Sequence, residues 1–232
     1  MSTPSTVGDT PGQNPPTASL TERRKAETRM EIARAAAGLF VRQGLRATRA
    51  EDIAQAAGIA PRTFYRYFAT KEEAIAPLYV TGAQRWAEAV RSAPAALSVP
   101  AALEHAVRHT LTPGAGVSAA SWEWVRTLIH LADTSPALRK VWAEVCQSAE
   151  HLLASVLAER TAQGGDNVAA ASVPAPTPRL RFTAAVAGAA VRVAMETWAA
   201  GTAAPTGEQG PMALALRNLE ALRGFDWQAA GA

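Results

Sequence analysis

Residues Thr48 to Lys71 read TRAEDIAQAAGIAPRTFYRYFATK, and their spacing predicts two short helices, a tight turn and the start of a third helix. Ile53, Ala54 and Ala57 recur at three-to-four spacing, Gly58 stands where a helix ends on a left-handed residue, and Pro61 sits near the beginning of the next helix. That second helix, about 60 to 67, carries Arg62, Thr63, Tyr65, Arg66 and Tyr67, donors suited to phosphate oxygens and base edges. Phe64 and Phe68, four apart, anchor it to a core. The pattern is a helix-turn-helix, and its expected task is DNA recognition.

The charge around this stretch agrees. The whole chain carries only +3, but from Leu20 to Lys71 eleven basic residues face five acidic ones, a local +6 that leaves −3 for the remainder. A basic head on a mildly acidic body points to nucleic acid at one end. A solvated charged face is the plainer alternative, and coincidence with the motif argues against it.

The run Ile53-Ala54-Gln55-Ala56-Ala57-Gly58-Ile59, then Thr63-Phe64-Tyr65-Arg66-Tyr67-Phe68 and Lys71-Glu72-Glu73, resembles the DNA-binding domain of TetR-type (tetracycline repressor) regulators over the first quarter to third of the chain. The resemblance implies an all-helical homodimer that binds palindromic operator DNA and carries a divergent ligand-binding domain after the DNA-binding one. It implies backbone or minor-groove contacts for Arg24 and Lys25 at the start of the first helix, and contacts from Thr48, Arg49, Pro61 and the residues of the recognition helix. Lys71 matches a phosphate contact of the family. Arg49 departs from the pattern, which has a small hydroxyl residue there, so either Arg49 makes a longer phosphate contact or the helix cap moves to Thr48.

Upstream, Ser19-Leu20-Thr21-Glu22 fits a capping box opening the first helix, Gly44 fits its end, and Ile32, Ala33, Ala36, Leu39 and Phe40 form its core stripe. Residues 1–18 have neither a basic nor an apolar signal region and are expected to be a disordered tail. Downstream, Thr70-Lys71-Glu72-Glu73 is expected to cap a fourth helix that kinks at Pro77 after about two turns. Helices are expected over about 101–111, 118–132, 136–160, 179–200 and 211–224, with a Gly- and Pro-rich loop at 163–178. The resulting plan is all-α: a DNA-binding domain at 19–70 and a ligand-binding and dimerisation domain at 71–227.

The resemblance implies that the last two helices pair with their copies across a two-fold axis. Ala184, Ala185, Gly188 and Ala189, with Val191, Met195 and Trp198, are the expected interface; an intrachain core face is the alternative. Five of the six tryptophans, Trp86, Trp122, Trp124, Trp142 and Trp198, fall before the end of the last expected helix of the second domain, and the sixth, Trp227, follows it. Ligand pockets are mainly apolar with few polar groups, so Trp86, Trp122, Leu128, His130, Trp142, Cys146 and Met195 are the candidate lining of a small-molecule site.

Enzyme chemistry has no motif to stand on: there is no GxSxG, phosphate loop or dinucleotide fingerprint. His105 and His109 lie four apart, but no acid or cysteine completes a metal set, so neither a metal nor another cofactor is expected. Cys146 is the only cysteine, which fits a cytoplasmic protein, and the most apolar span, 182–191, is too short to cross a bilayer. The expected function is a ligand-responsive transcriptional regulator acting as a repressor. The rival is a ligand-independent regulator whose C-terminal domain is solid core and only dimerises.

Overall fold

The computed structural model describes residues 19–114, 119–163 and 175–224. The tail at 1–18, the centre of the Gly- and Pro-rich loop and the residues beyond 224 lie outside them. Among the described residues the chain is helical and has no strand. Its helices are α1 (Leu20–Gln43), α2 (Ala50–Ala56), α3 (Pro61–Tyr67), α4 (Ala76–Arg91), α5 (Val99–Leu111), α6 (Ala119–Thr134), α7 (Pro136–Gln163), α8 (Pro178–Ala200) and α9 (Pro211–Glu220), with a 3₁₀ turn at Glu73–Ile75.

Local chemistry sets the head. The Ser19 hydroxyl accepts from the Glu22 N–H at 3.2 Å and starts α1, while Gly44, at φ 82°, returns its N–H to the Phe40 carbonyl and ends it. Gly58 takes φ 68° after α2, a conformation that costs a residue with a Cβ, and Ile59 N–H closes on the Ala54 carbonyl at 2.9 Å. Pro61 occupies the first turn of α3, where its missing N–H has no partner to lose. Ile32, Ala36, Phe40, Ile53, Ala54, Phe64 and Phe68 close together as the head's core.

Two boundaries differ from the sequence expectation. The cap of α2 is Arg49, whose backbone N–H donates to Asp52 Oδ2 at 2.8 Å. That bond, followed by the guanidinium of the same residue, holds the Asp52 carboxyl below its ordinary range. Thr48 is not the cap; it is fully buried, and its hydroxyl donates to the Gly44 carbonyl at 2.8 Å. The expected kink at Pro77 is also absent. The Thr70 hydroxyl accepts from Glu73 N–H, but the box opens the 3₁₀ turn, and α4 begins afresh at Ala76 with Pro77 in its first turn. No helical hydrogen bond is lost there.

In the body, α4 packs chiefly on α7, α8 lies between α7 and α9, and α6 crosses α7 and α8 while also touching α1. Leu103, Leu153, Val156, Leu157, Leu180, Ala184 and Ala187 form its main core. Trp122 and Trp198 meet edge to face, ring centres 5.4 Å apart, in a second cluster. The far end of α4 is tied to α7 twice: Arg91 Nε pairs with Glu159 at 2.8 Å, and the Arg160 guanidinium donates to the carbonyls of Val90, Ala93, Pro94 and Leu97.

The face of α8 expected at a dimer interface turns largely inward. Ala184 and Trp198 are buried within the protomer, and a Cβ on Gly188 would stand 3.2 Å from Glu150 Cγ on α7. Val191 and Met195 line an internal cavity. What α8 presents outward is Phe182 (53% exposed), Val186, Ala189 and Val193 (45% exposed).

Because Pro77 lies in a first turn, Pro77→Ala is expected to change the free energy of unfolding by no more than about 1 kcal/mol in urea denaturation. A gain of about 3 kcal/mol would instead mark a proline straining a helix interior.

Candidate functional site

The recognition helix α3 is anchored by Phe64, fully buried, and Phe68. Pinning these two rings turns Arg62, Tyr65 and Arg66 to solvent and leaves Thr63 and Tyr67 half-buried at the edges. Tyr65 is 53% exposed, and its hydroxyl donates to Glu51 Oε1 at 3.3 Å. Pro61, Arg24, Lys25 and Arg49 are exposed as well. The structure thus presents ten of the eleven residues expected at DNA, all but Thr48, on the accessible or half-accessible surface of the head, and nine of these make no side-chain bond to a backbone carbonyl among the described residues.

The other two have structural work. Thr48, being wholly buried, has no surface to offer DNA; it ties the turn between α1 and α2. Lys71 Nζ donates to the carbonyls of Leu45 and Thr48, each at 2.7 Å. One ammonium therefore clamps the same turn from the start of the next element, and a phosphate contact can use only its third N–H. Sequence reasoning missed Arg29, which reaches from α1 to donate to the Tyr67 carbonyl at 2.8 Å and stacks 4.4 Å from the centre of the Phe68 ring. It closes the C-terminus of the recognition helix. Its only sequence signal was a cation on the first helix, indistinguishable from the others there.

Behind the head, α4, α6, α7, α8 and the end of α5 enclose a cavity of about 580 Å³. Six of the seven expected lining residues converge on it: Trp86, Trp122, Leu128, Trp142, Cys146 and Met195. His130 does not. It is exposed and opens onto an adjoining cavity of about 610 Å³ between α6, α7 and α8. One residue along a helix is a rotation of about 100°, enough to put Ile129 on the shared wall and His130 beyond it.

The polar groups of the main cavity are mostly spent on the fold. The Tyr79 hydroxyl donates to the Leu128 carbonyl at 2.7 Å, and burial pushes its pKa upward. The Cys146 thiol is pushed up to about 12, chiefly by burial, and stays uncharged. Trp142 Nε1 donates to Glu196 Oε1 at 2.7 Å. Such a chamber suits an apolar guest. Among the described residues no group of His, Cys, Asp and Glu is arranged to hold a metal ion.

A helix-turn-helix head joined to a helical body is the plan of a DNA-binding transcriptional regulator. Residues 32–75 match the family "Bacterial regulatory proteins, tetR family". The chain is 30% identical over 185 residues to the HTH-type transcriptional regulator TcmR of Streptomyces glaucescens, covering 77% of this chain and 76% of TcmR. It belongs to the TetR family of transcriptional regulators. Solved structures of similar fold include Thermus thermophilus FadR, a TetR family transcriptional repressor in complex with lauroyl-CoA, at 24% identity and TM-score 0.52 over 88% of this chain and 98% of that one. Another is Salmonella enterica GusR, at 19% identity and TM-score 0.52 over 85% and 94%. No described helix is long and apolar enough to cross a membrane.

Lys71→Met keeps the stem and removes the two carbonyl bonds. It is expected to destabilise the head by about 1–3 kcal/mol while leaving the slope of log K against log salt unchanged. A slope reduced by about one would assign the ammonium to a phosphate instead.

Proposed function

We propose that this regulator is a cytoplasmic repressor that binds a palindromic operator as a homodimer and releases it when a small, largely apolar effector fills the cavity. One observation carries the reading: Tyr79, Leu128 and Val145 line the cavity and also belong to the core cluster that holds Ile32, Phe40, Ile53 and Phe64 of the head. A guest that prefers one arrangement of α4 and α6 therefore acts on the same side chains that seat the recognition helix. The chamber also weighs against a body that only dimerises, since a solid interior has no such volume. FadR, of the same fold, holds lauroyl-CoA, which supports an effector role for the body without identifying this chain's ligand.

The apolar outward stripe of α8 supports dimerisation. Phe182, Ala185, Val186, Ala189 and Val193 recur at helical spacing and are exposed or half-buried in the protomer, and half-buried Ala213 and Leu216 are on the neighbouring α9. Val193→Asp is expected to shift the chain toward monomer in sedimentation equilibrium, whereas Gly188→Leu, which acts on Glu150, leaves the dimer intact. The reverse pattern would return the interface to the inward face.

The regulatory reading is tested with duplexes selected from a random pool and with N-phenyl-1-naphthylamine, a neutral apolar dye. Selected sites are expected to be two-fold symmetric, with half-sites about 34 Å apart and two chains per site. Saturable dye binding is expected to weaken operator affinity at least fivefold. Gly82→Trp supplies a control: Gly82 lines the cavity, and no heavy atom lies within 4 Å of where its Cβ would be. This variant is expected to lose the dye and keep the operator. Dye binding that leaves operator affinity unchanged would reject effector control.

A further inference from the structure

We propose that the effector is an organic cation, a lipophilic and largely aromatic molecule with one positive charge that Glu150 receives. The inference rests on the effector reading of the cavity and names the class of molecule that fills it.

Glu150 is half-buried on α7 and lines both the main cavity and the adjoining one. Among the described residues no hydrogen bond or ion pair reaches its carboxylate. Every other charge on the main wall is engaged. Arg192 gives both of its bonds to Glu196, at 3.1 and 3.3 Å, and Glu196 also accepts from Trp142. On the α4 side Glu88 pairs with Arg91 at 2.6 Å, and Arg85 is itself engaged. Where the two cavities meet, two carboxylates therefore stand against one guanidinium, and the thiol beside them carries no charge. Gly188 makes the arrangement possible: Glu150 Cγ lies 3.2 Å from the point a Cβ would occupy, so any larger residue on α8 would press on the carboxylate's stem.

Tyr79, Trp86, Trp122 and Trp142 line the same cavity as Glu150. Displacing water from a carboxylate without supplying a counter-charge is costly, so a neutral guest pays that penalty and an anion adds repulsion to it. A cation removes it, and the faces of the surrounding rings attract positive charge as well. The combination selects by sign of charge what the apolar walls alone would accept without distinction.

Tetraphenylphosphonium and tetraphenylborate carry the same four rings with opposite charge, and neither titrates. Each is titrated into the full-length dimer and followed by tryptophan fluorescence, since Trp86, Trp122 and Trp142 line the chamber. The phosphonium is expected to bind at least about tenfold more tightly. Glu150→Gln, checked for an unchanged thermal transition, is expected to weaken the phosphonium about tenfold and leave the borate unchanged or tighter. Equal affinity for the two ions in the parent protein, a preference for the borate, or phosphonium binding untouched by Glu150→Gln would overturn the cation assignment while leaving the cavity reading in place. Failure of the parent protein to bind either ion would remove the cavity reading and this inference with it.

Discussion

Helices α2 and α3 have seven residues each, two turns apiece, and neither is stable without tertiary support. With α1 they do not close a core by themselves. The head's cluster is completed by Tyr79 of α4, Leu128 and Ala132 of α6, and Leu138, Val141 and Val145 of α7. The buried bond from the Tyr79 hydroxyl to the Leu128 carbonyl fixes two of these walls to each other. Everything else in the molecule follows from that borrowing. The DNA-reading unit is held in shape by a cluster in which Tyr79, Leu128 and Val145 also line the cavity, so the effector control proposed above would need no separate pathway. The head's core therefore runs on past residue 70.

The chamber shows the complementary rule. Its walls are large and apolar, and most polar atoms on them already have partners, so its selectivity has to come from the few that do not. Elsewhere several cations staple backbone carbonyls: Lys71 on Leu45 and Thr48, Arg29 on Tyr67, and Arg126 on Gly201 and Ala203 while its guanidinium lies 4.3 Å from the centre of the Trp198 ring. Part of the head's positive charge is thus spent on its own backbone, which makes net charge an overestimate of the number of residues left for phosphate.

The head was legible because its signals are local. Gly58 demands a positive φ, Pro61 marks a first turn, and Phe64 and Phe68 give the direction of the core, all within eleven residues of sequence. The lining tryptophans were legible for another reason, since large aromatics on helical stripes have few places to go but inward. What the sequence hid depended on register or on partners far along the chain. Whether Pro77 bends a helix depends on where that helix begins, which a capping box three residues earlier obscured. The resemblance places Thr48 and Lys71 among the residues expected at DNA, yet their hydroxyl and ammonium meet carbonyls up to 26 residues away. Helical periodicity gives faces and does not say which one is outside: of the small residues of α8, Ala185 and Ala189 lie on the outward stripe, whereas Ala184 is buried and Gly188 answers to Glu150.

The double tie at the end of α4 has a mechanical meaning. Arg160 and the Arg91–Glu159 pair fix that end to α7, which makes it the natural pivot for any tilt of α4. At 1.5 Å per residue its sixteen residues make an arm of about 24 Å. A tilt of about 5° at the pivot then displaces the opposite end by about 2 Å, and that end delivers the chain to the recognition helix. Under the effector control proposed above, rigidity at one terminus would convert a small angular change beside a guest into a translation comparable to a hydrogen-bond length at the head.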